Sequence, residues 1–269
     1  DTMHHITEKL IGIHMKDLSG CRTFDIVMKD FLAWCGEDFM FGTWGPQDLT
    51  ELQKNMRFFG MEPLGKGPVR FYDIQKLFSI AYEDQKVRRS LEYAVDYLQI
   101  PKDIPFHRAI SDAVYTARVF QMIKDPIALQ RVSFDTFQLP ENHRSEVHVV
   151  FDNYAKYISR PFPEKEALMA DKEVLSTRCY LCHHNLRKKV RWFSPNGKHY
   201  YSLSWCDKHG WMKGKIRVKK AEDDMVYAVK TTKLVGEKEV AALLERKDHI
   251  RQLRKEHRHR EAQEKLGKR

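Results

Sequence analysis

The stretch FMFGTWGPQDL, at positions 39–49, carries the clearest secondary-structure signal in the first half of the chain. Its first six residues form an apolar and aromatic run, and the pair Gly45-Pro46 closes that run, as is typical of a buried strand. Asp48 follows at once, and apolar residues then recur at helical intervals, at Leu49, Leu52, Met56 and Phe59. The stretch therefore predicts a buried strand that leads directly into an amphipathic helix, with Asp48 at the junction.

Similar patterns lie on both sides of this stretch. Apolar spacing predicts a helix over 23–34, and an apolar run after a Gly-Pro turn predicts a second strand over 69–74. Ser90 is expected to cap a helix that stops before Pro101, and Ser111 is expected to cap a last helix ending near Ile123. Strands that alternate with helices predict an α/β layer architecture.

The segment HRAISD, at positions 107–112, has the spacing H-x-A-x-x-D. It resembles the third motif of the DEDDh exonucleases, the family of DnaQ-like proofreading subunits and RNase T. The strand followed by Asp48 resembles the second motif of that family, and the segment LIGI at 10–13 resembles the stretch ahead of it. The likeness covers about residues 5–123 and is greatest to exonucleases of the RNase T and KapD type. It implies a ribonuclease H-like mixed sheet with flanking helices.

The resemblance also implies a chemistry. Four carboxylates of the family hold two divalent cations, Mg²⁺ or Mn²⁺, and a mobile His deprotonates the attacking water. Asp112 and Asp48 would be metal ligands here, and His107 would be the general base. The expected activity is 3′-5′ exonucleolytic cleavage of single-stranded RNA or DNA, releasing nucleoside 5′-monophosphates. The alternative is that the two aspartates cap helices and that the histidine is a solvated loop residue.

The first motif of the family, D-x-E on the opening strand, is missing where it is needed. The one literal match, from Asp171 to Glu173, lies in a polar stretch that we interpret as chance. Without the opening strands, the predicted sheet would expose edges and apolar faces. We therefore expect that the sequence is an N-terminally truncated fragment, inactive by itself, and that the complete protein carries the missing acids.

Cysteine spacing predicts a zinc ribbon in the second half. Cys179 and Cys182 form one C-x-x-C pair, and a C-x-x-H pair, Cys206 and His209, follows it. Four such ligands make a closed tetrahedral site, which is structural rather than catalytic. A hairpin with strands around 190–193 and 200–203 is expected between the pairs. The rival fourth ligands, sterically poorer because they adjoin Cys182, are His183 and His184.

Charge indicates what this second half binds. Of the +10 net charge, residues up to Arg160 contribute −2, and the residues from Pro161 onward contribute +12. Cations that neutralise phosphates and rings that stack on bases are typical of single-strand binding. The predicted contacts are Lys188, Lys189, Arg191, Trp192, Tyr200 and Trp205. The alternative is that about half of the rings in this hairpin form the core of the small zinc module.

The expected organisation has four parts: the exonuclease-like domain (1–123), a linker or extension (124–178), the zinc-ribbon-like module (179–235) and a basic helical tail (236–269). In the extension, residues 147–158 are expected to form either a strand or a helix. No apolar stretch approaches the length of a membrane-spanning helix, so we expect a cytoplasmic protein without a membrane partner. A catalytically inactive nucleic-acid-binding protein is the second hypothesis, and a protein-interaction module is the third.

Overall fold

The computed structural model describes residues 13–84 and 87–267. The chain divides into two compact units, Asp1–Gln138 and Leu139–Arg269. Of the segment that resembles the stretch before the second exonuclease motif, Leu10, Ile11 and Gly12 lie outside the described residues.

The first unit is a small mixed sheet with helices around it. Its strands follow the order β1-β2-β3, with β1 parallel to β2 and β2 antiparallel to β3. The strands are β1 (Phe41–Thr43), β2 (Val69–Asp73) and β3 (Ser133–Asp135). The helices described in this unit are α1 (Phe24–Cys35), α2 (Gln47–Phe58), α3 (Ile74–Tyr82), α4 (Leu91–Tyr97), α5 (Ala109–Met122) and α6 (Pro126–Leu129). The mixed α/β class is confirmed, and the ribonuclease H-like arrangement stays a prediction.

Helices α3 to α6 bury the main apolar cluster of this unit. The cluster is built from aliphatic and aromatic side chains with almost no exposed surface, among them Leu77, Phe78, Val95, Tyr115 and Val119. The Tyr115 hydroxyl donates to the Ile104 carbonyl at 2.7 Å, so its polar end is satisfied within the loop before α5. This packing fixes the position of the loop that carries the H-x-A-x-x-D segment.

Helix starts follow the sequence signals in part. Ser90 caps α4 as predicted, since its hydroxyl accepts the Tyr93 amide at 3.2 Å. Ser111 is not a cap, because α5 already begins at Ala109 and buries Ser111 in its first turn. The strand predicted over 69–74 ends at Asp73, whose carboxylate caps α3.

The first unit exposes large apolar side chains in α1, in α2 and just before the edge strand β1. Trp34 and Phe58 are 81% and 83% exposed, and Phe39 and Met40 are each 41% exposed. Single apolar residues are ordinary on protein surfaces. Within the sheet itself Phe71 of β2 is buried, at 1% exposure, so that strand does not show the uncovered apolar face that we expected.

The second unit is built on one antiparallel six-stranded sheet in the order β4-β5-β9-β8-β7-β6. Its strands are β4 (Val147–Phe151), β5 (Tyr154–Ile158), β6 (Arg187–Phe193), β7 (His199–Cys206), β8 (Gly210–Lys220) and β9 (Val226–Leu234). Two helices, α7 (Lys165–Ala170) and α8 (Glu237–Gly267), belong to it as well. The hairpin predicted between the two cysteine pairs is confirmed as β6 and β7.

Different helices cover the two faces of this sheet. On one face, α7 and the residues after it contribute Leu168 and Val174 to a core with Ile216. On the other, α8 packs Val240 and Leu243 against buried residues of β6 and β7. Successive residues of a strand point to opposite faces, so each strand contributes to both layers.

Residues 124–178 differ from the expected linker or extension. They include α6 and β3 of the first unit, and β4, β5 and α7 of the second. Strand β5 pairs with β9, which lies far along the chain, so sequence neighbours do not reveal this connection. The division between compact units therefore falls at Gln138, and β4 and β5 belong to the same sheet as the predicted zinc ribbon.

Helix α8 carries the basic tail. It runs from Glu237 to Gly267, as the predicted basic helical tail implies. The Arg254 guanidinium donates to the Ser194 carbonyl at 2.6 Å, which ties the middle of the helix to the β6–β7 turn. Among the helices of the described chain, none combines the length and the apolar character needed to cross a bilayer.

Candidate metal centre and candidate catalytic residues

Two turns of the second unit bring the predicted zinc ligands together. Cys179 and Cys182 lie in the turn that precedes β6, Cys206 is the last residue of β7, and His209 lies in the turn into β8. One ligand atom from each of the four lies within 4.8 Å of the others. Among residues 13–84 and 87–267, no other group of three or more His, Cys, Asp or Glu side chains meets this criterion.

The distances between these atoms suit a single tetrahedral zinc ion. The His209 Nδ1 atom is 3.5 Å from the Cys179 Sγ atom and 3.5 Å from the Cys206 Sγ atom. The Cys182 and Cys206 Sγ atoms are 3.6 Å apart, and all three cysteines are free thiols. Zinc bonds of about 2.3 Å to sulfur and about 2.0 Å to nitrogen place ligand atoms roughly 3.5–3.8 Å apart in a tetrahedron. The cluster therefore has the composition and the spacing of a structural zinc site.

Backbone hydrogen bonds shape the first ligand turn. The Cys179 amide donates to the His184 carbonyl at 2.9 Å, and the His183 amide donates to the Cys179 carbonyl at 2.9 Å. His183 has a φ of 60°, in the left-handed region that closes a tight turn. These bonds hold the two cysteines of the C-x-x-C pair on the same side of the turn.

The second ligand turn is similar. The His209 amide donates to the Cys206 carbonyl at 3.2 Å, and Gly210 follows with a φ of 82°. A glycine adopts this conformation without steric cost, which explains its place after the last ligand. The pair Cys206 and His209 is thus presented at the end of a sheet strand.

The protein environment lowers the pKa of two ligand thiols, Cys182 and Cys206, and so favours their thiolate forms. Hydrogen bonding from the His184 backbone lowers the pKa of Cys182 to about 6, against a smaller opposing effect of desolvation. Burial raises the pKa of Cys179. Metal ligation requires the deprotonated thiol, so the lowered pKa of Cys182 favours ligation.

The rival histidines are outside the cluster. His183 and His184 are both exposed, and neither belongs to the group of four ligand atoms. His184 instead places its Nδ1 atom 2.9 Å from the carbonyl oxygen of Cys182. This contact orients the first turn without adding a ligand.

The candidate catalytic residues lie in the first unit, at or near the starts of two helices. Asp48 lies in the first turn of α2, shortly after β1, and Asp112 lies in the first turn of α5. His107 is exposed in the loop before α5, with a φ of 69°, and its amide donates to the Asp112 Oδ1 atom at 3.2 Å. Desolvation by surrounding atoms raises the pKa of the Asp48 carboxyl.

These residues do not complete a two-cation site. No group of three or more ligating side chains that includes Asp48, His107 or Asp112 lies within the described residues. Asp171 of the literal D-x-E match already has partners within the protein. It accepts hydrogen bonds from the Glu173 and Val174 amides and forms an ion pair with Arg160. The described residues therefore do not suffice to hold two divalent cations.

The predicted nucleic-acid contacts separate into exposed cations and rings that have protein neighbours. Lys188, Lys189 and Arg191 are exposed along β6. Trp192 packs into the core on the α7 side, where its indole N–H donates to the Leu175 carbonyl at 3.0 Å. The two remaining rings also have protein neighbours: Tyr200 packs against the same core, and Trp205, 38% exposed, contacts the edge of Trp211.

Sequence reasoning missed a second group of cations, on the sheet face that α8 crosses. We call it the basic face, and it consists of Lys156, Lys213, Lys215, Arg217, Lys233 and Arg246. The signal that could have found it is the alternation of Lys213, Lys215 and Arg217 with apolar or small residues along β8.

Comparison of the chain with protein-family models, with curated proteins and with solved structures finds no match.

Proposed function

We propose that this chain belongs to a metal-dependent 3′-5′ exonuclease that acts on single-stranded nucleic acid. One observation carries the proposal: the segment HRAISD folds so that the exposed His107 is held beside Asp112, at the start of α5. A general base must be accessible to the attacking water, and a carboxylate that binds a metal ion must be held in one position. The position of Asp48 directly after a short parallel strand adds support.

The proposed roles belong to side chains of the first unit. His107 would accept the proton of the attacking water, and Asp112 would position the histidine loop through its bond to the His107 amide. Divalent cations, where bound, stabilise the attacking and leaving oxygens of a phosphodiester. Because the described carboxylates do not form a complete cation site, the proposal requires acids in addition to Asp48 and Asp112.

The test is degradation of a 3′-labelled single strand by the protein in its natural full length, with Mg²⁺ or Mn²⁺. Asp112→Asn should abolish degradation, whereas binding of the same strand should be retained. Asp125→Asn is a matched control, since Asp125 also accepts an amide near the start of a helix, α6. The exonuclease proposal fails if the unmodified protein leaves the strand intact, or if Asp112→Asn degrades it at the normal rate.

A nucleic-acid-binding protein without catalytic activity is the second candidate. It is favoured by the incomplete cation site of the first unit and by the positive charge that the sequence concentrates after Arg160. The zinc site would then stabilise a sheet that binds phosphates. This candidate predicts salt-sensitive binding of single strands by the unmodified protein and no degradation under any metal condition.

A further inference from the structure

We infer that the basic face of the second unit is the path of the bound single strand, in preference to the exposed cations of β6. The inference rests on the proposed function of binding single-stranded nucleic acid, and it identifies the surface that performs it. The basic face lines a groove of about 520 Å³, formed by β5, β7, β8 and β9 together with Arg246 of α8.

The sheet register aligns these cations in rows. One row across the sheet runs from Lys156 on β5 through Thr231 on β9 and Lys215 on β8 to Tyr201 on β7, each residue being the register partner of the next. Along β8, Lys213, Lys215 and Arg217 follow one another at every second residue, so their Cα atoms are about 6.7 Å apart. This spacing is comparable to the distance between successive phosphates of an extended strand.

Helix α8 contacts β8, where Trp211 packs against its apolar residues, but it does not bury the cations farther along that strand. Its apolar residues Val240 and Leu243 cover β6 and β7, whereas the side chains of Lys213 and Lys215 on β8 remain partly exposed and that of Arg217 is exposed. A groove bounded by a helix on one side confines a ligand better than a flat surface does. The groove is therefore accessible to a thin, flexible polyanion.

The cations of the groove are crowded, and their charge is neutralised only in part. Glu239 pairs with Lys233 at 2.8 Å and lies 3.7 Å from Lys213. Within the described residues, no ion pair within 4 Å joins a carboxylate to Lys215 or Arg217. Burial lowers the pKa of Lys215, and repulsion from Arg217, Lys213 and Arg246 lowers it further. Bound phosphates would relieve this repulsion and release counterions.

Phosphates rather than bases are the expected contacts. Tyr201 is the aromatic ring of the groove, and cations already occupy its surroundings: the Arg246 guanidinium lies 4.8 Å from the ring centroid, and the Lys215 Nζ atom lies 5.9 Å from it. The ring is 8% exposed and offers little surface for base stacking. Recognition through phosphates alone carries no sequence information.

The experiment compares two double variants by fluorescence anisotropy with a labelled oligo-dT strand at several salt concentrations. Lys215→Gln/Arg217→Gln changes the basic face, and Lys189→Gln/Arg191→Gln removes the same two charges from β6. We expect the first to weaken binding about tenfold or more and to reduce the salt slope by roughly 1.4, the value for two lost contacts to a single strand. The second should change binding less than about threefold. Zinc content and the thermal unfolding temperature establish that both variants are folded.

The outcomes separate the inference from the proposed function. Absence of oligo-dT binding by the unmodified chain contradicts nucleic-acid binding itself. Normal binding by the unmodified chain, with an equal loss in both variants or a larger loss in the β6 variant, overturns only the path across the basic face. Equal affinity of the unmodified chain for polyglutamate and for oligo-dT would overturn the assignment of the basic face to nucleic acid, because the face would then bind acidic proteins equally well.

Discussion

The indole ring of Trp192 lies directly over Gly214, which leaves no room for a side chain on the glycine. A Cβ atom built on Gly214 would lie 2.5 Å from the Trp192 Cη2 atom and 2.6 Å from the Ser202 Oγ atom. The ring is held in this position by its hydrogen bond to the Leu175 carbonyl. Trp192 is thus part of the packing between the sheet and the segment after α7, which limits its availability for base stacking.

Gly214→Ala should destabilise the second unit by about 1–3 kcal/mol, because the added methyl forces the indole or the strand to move. Gly236→Ala is the control within the same unit: nothing lies within 4 Å of a Cβ atom at that glycine, and the loss of a glycine at the start of α8 should cost no more than about 1 kcal/mol. Urea unfolding followed by tryptophan fluorescence measures both. Equal stability of the two variants would show that the ring can shift without cost.

Cys182→Ser should abolish stoichiometric zinc binding, because the remaining two thiols and one imidazole leave the tetrahedron open. Since structural zinc contributes to folding directly, the thermal unfolding temperature should fall as well. Elemental analysis of the purified chain gives the metal content. Cys21→Ser is the control, because Cys21 is exposed and lies outside the cluster. Retention of one zinc per chain by Cys182→Ser would contradict the ligand assignment.

The sequence was informative wherever local spacing determines the structure. Two-residue spacers bring Cys179 close to Cys182, and Cys206 close to His209, whatever the rest of the fold does, and the predicted hairpin is formed by β6 and β7. Helical periodicity predicted α1 and α2 for the same reason. Such signals depend on residues a few positions apart.

Long-range pairing could not be read in this way. The pairing of β5 with β9 depends on which apolar faces find each other, and no local pattern records it. The burial of Trp192 could not be predicted for the same reason. The local sequence does not show that residues near Leu175 cover the sheet face on which Trp192 lies. The basic face was missed because the alternation along β8 identifies two faces of a strand without indicating which one a helix leaves open.

Glu146→Gln should destabilise the second unit by about 3 kcal/mol, because Glu146 is a buried acid that balances a cation. Its side chain is fully buried, accepts the Arg160 guanidinium at 2.7 Å and lies 2.7 Å from the His143 Nδ1 atom. The amide would leave Arg160 with Asp171 as its remaining carboxylate. Urea unfolding of the two proteins gives the difference.

Glu239→Gln is the matched control for that change. Glu239 contacts Lys233 at 2.8 Å on the surface of the same unit, with 44% of its side chain exposed. Exposed pairs contribute less than about 1 kcal/mol, since water and salt screen them. A loss for Glu146→Gln as small as that for Glu239→Gln would mean that Arg160 finds another partner.

The pH dependence of stability should reveal the buried Lys230. Its Nζ atom donates to the Glu173 carbonyl at 2.6 Å and lies 4.9 Å from the centroid of the Tyr157 ring. Burial lowers its pKa from the ordinary value of 10.5 to about 8. Between these pH values the unfolded chain holds a proton that the folded chain has released, so the free energy of unfolding rises with pH across this window.

Lys230→Met removes this proton linkage, so the stability of the unmodified chain relative to the variant should rise by ~3 kcal/mol as the pH increases through that window. Subtracting the variant cancels the titration of the thiols and tyrosines that both chains share. Lys219→Met is the control, since Lys219 also lies over a tyrosine, Tyr227, but is exposed. Urea unfolding at several pH values gives the three curves. A difference between the unmodified chain and Lys230→Met that stays constant with pH would show that Lys230 remains charged in the folded protein, with its burial offset by the carbonyls that it contacts.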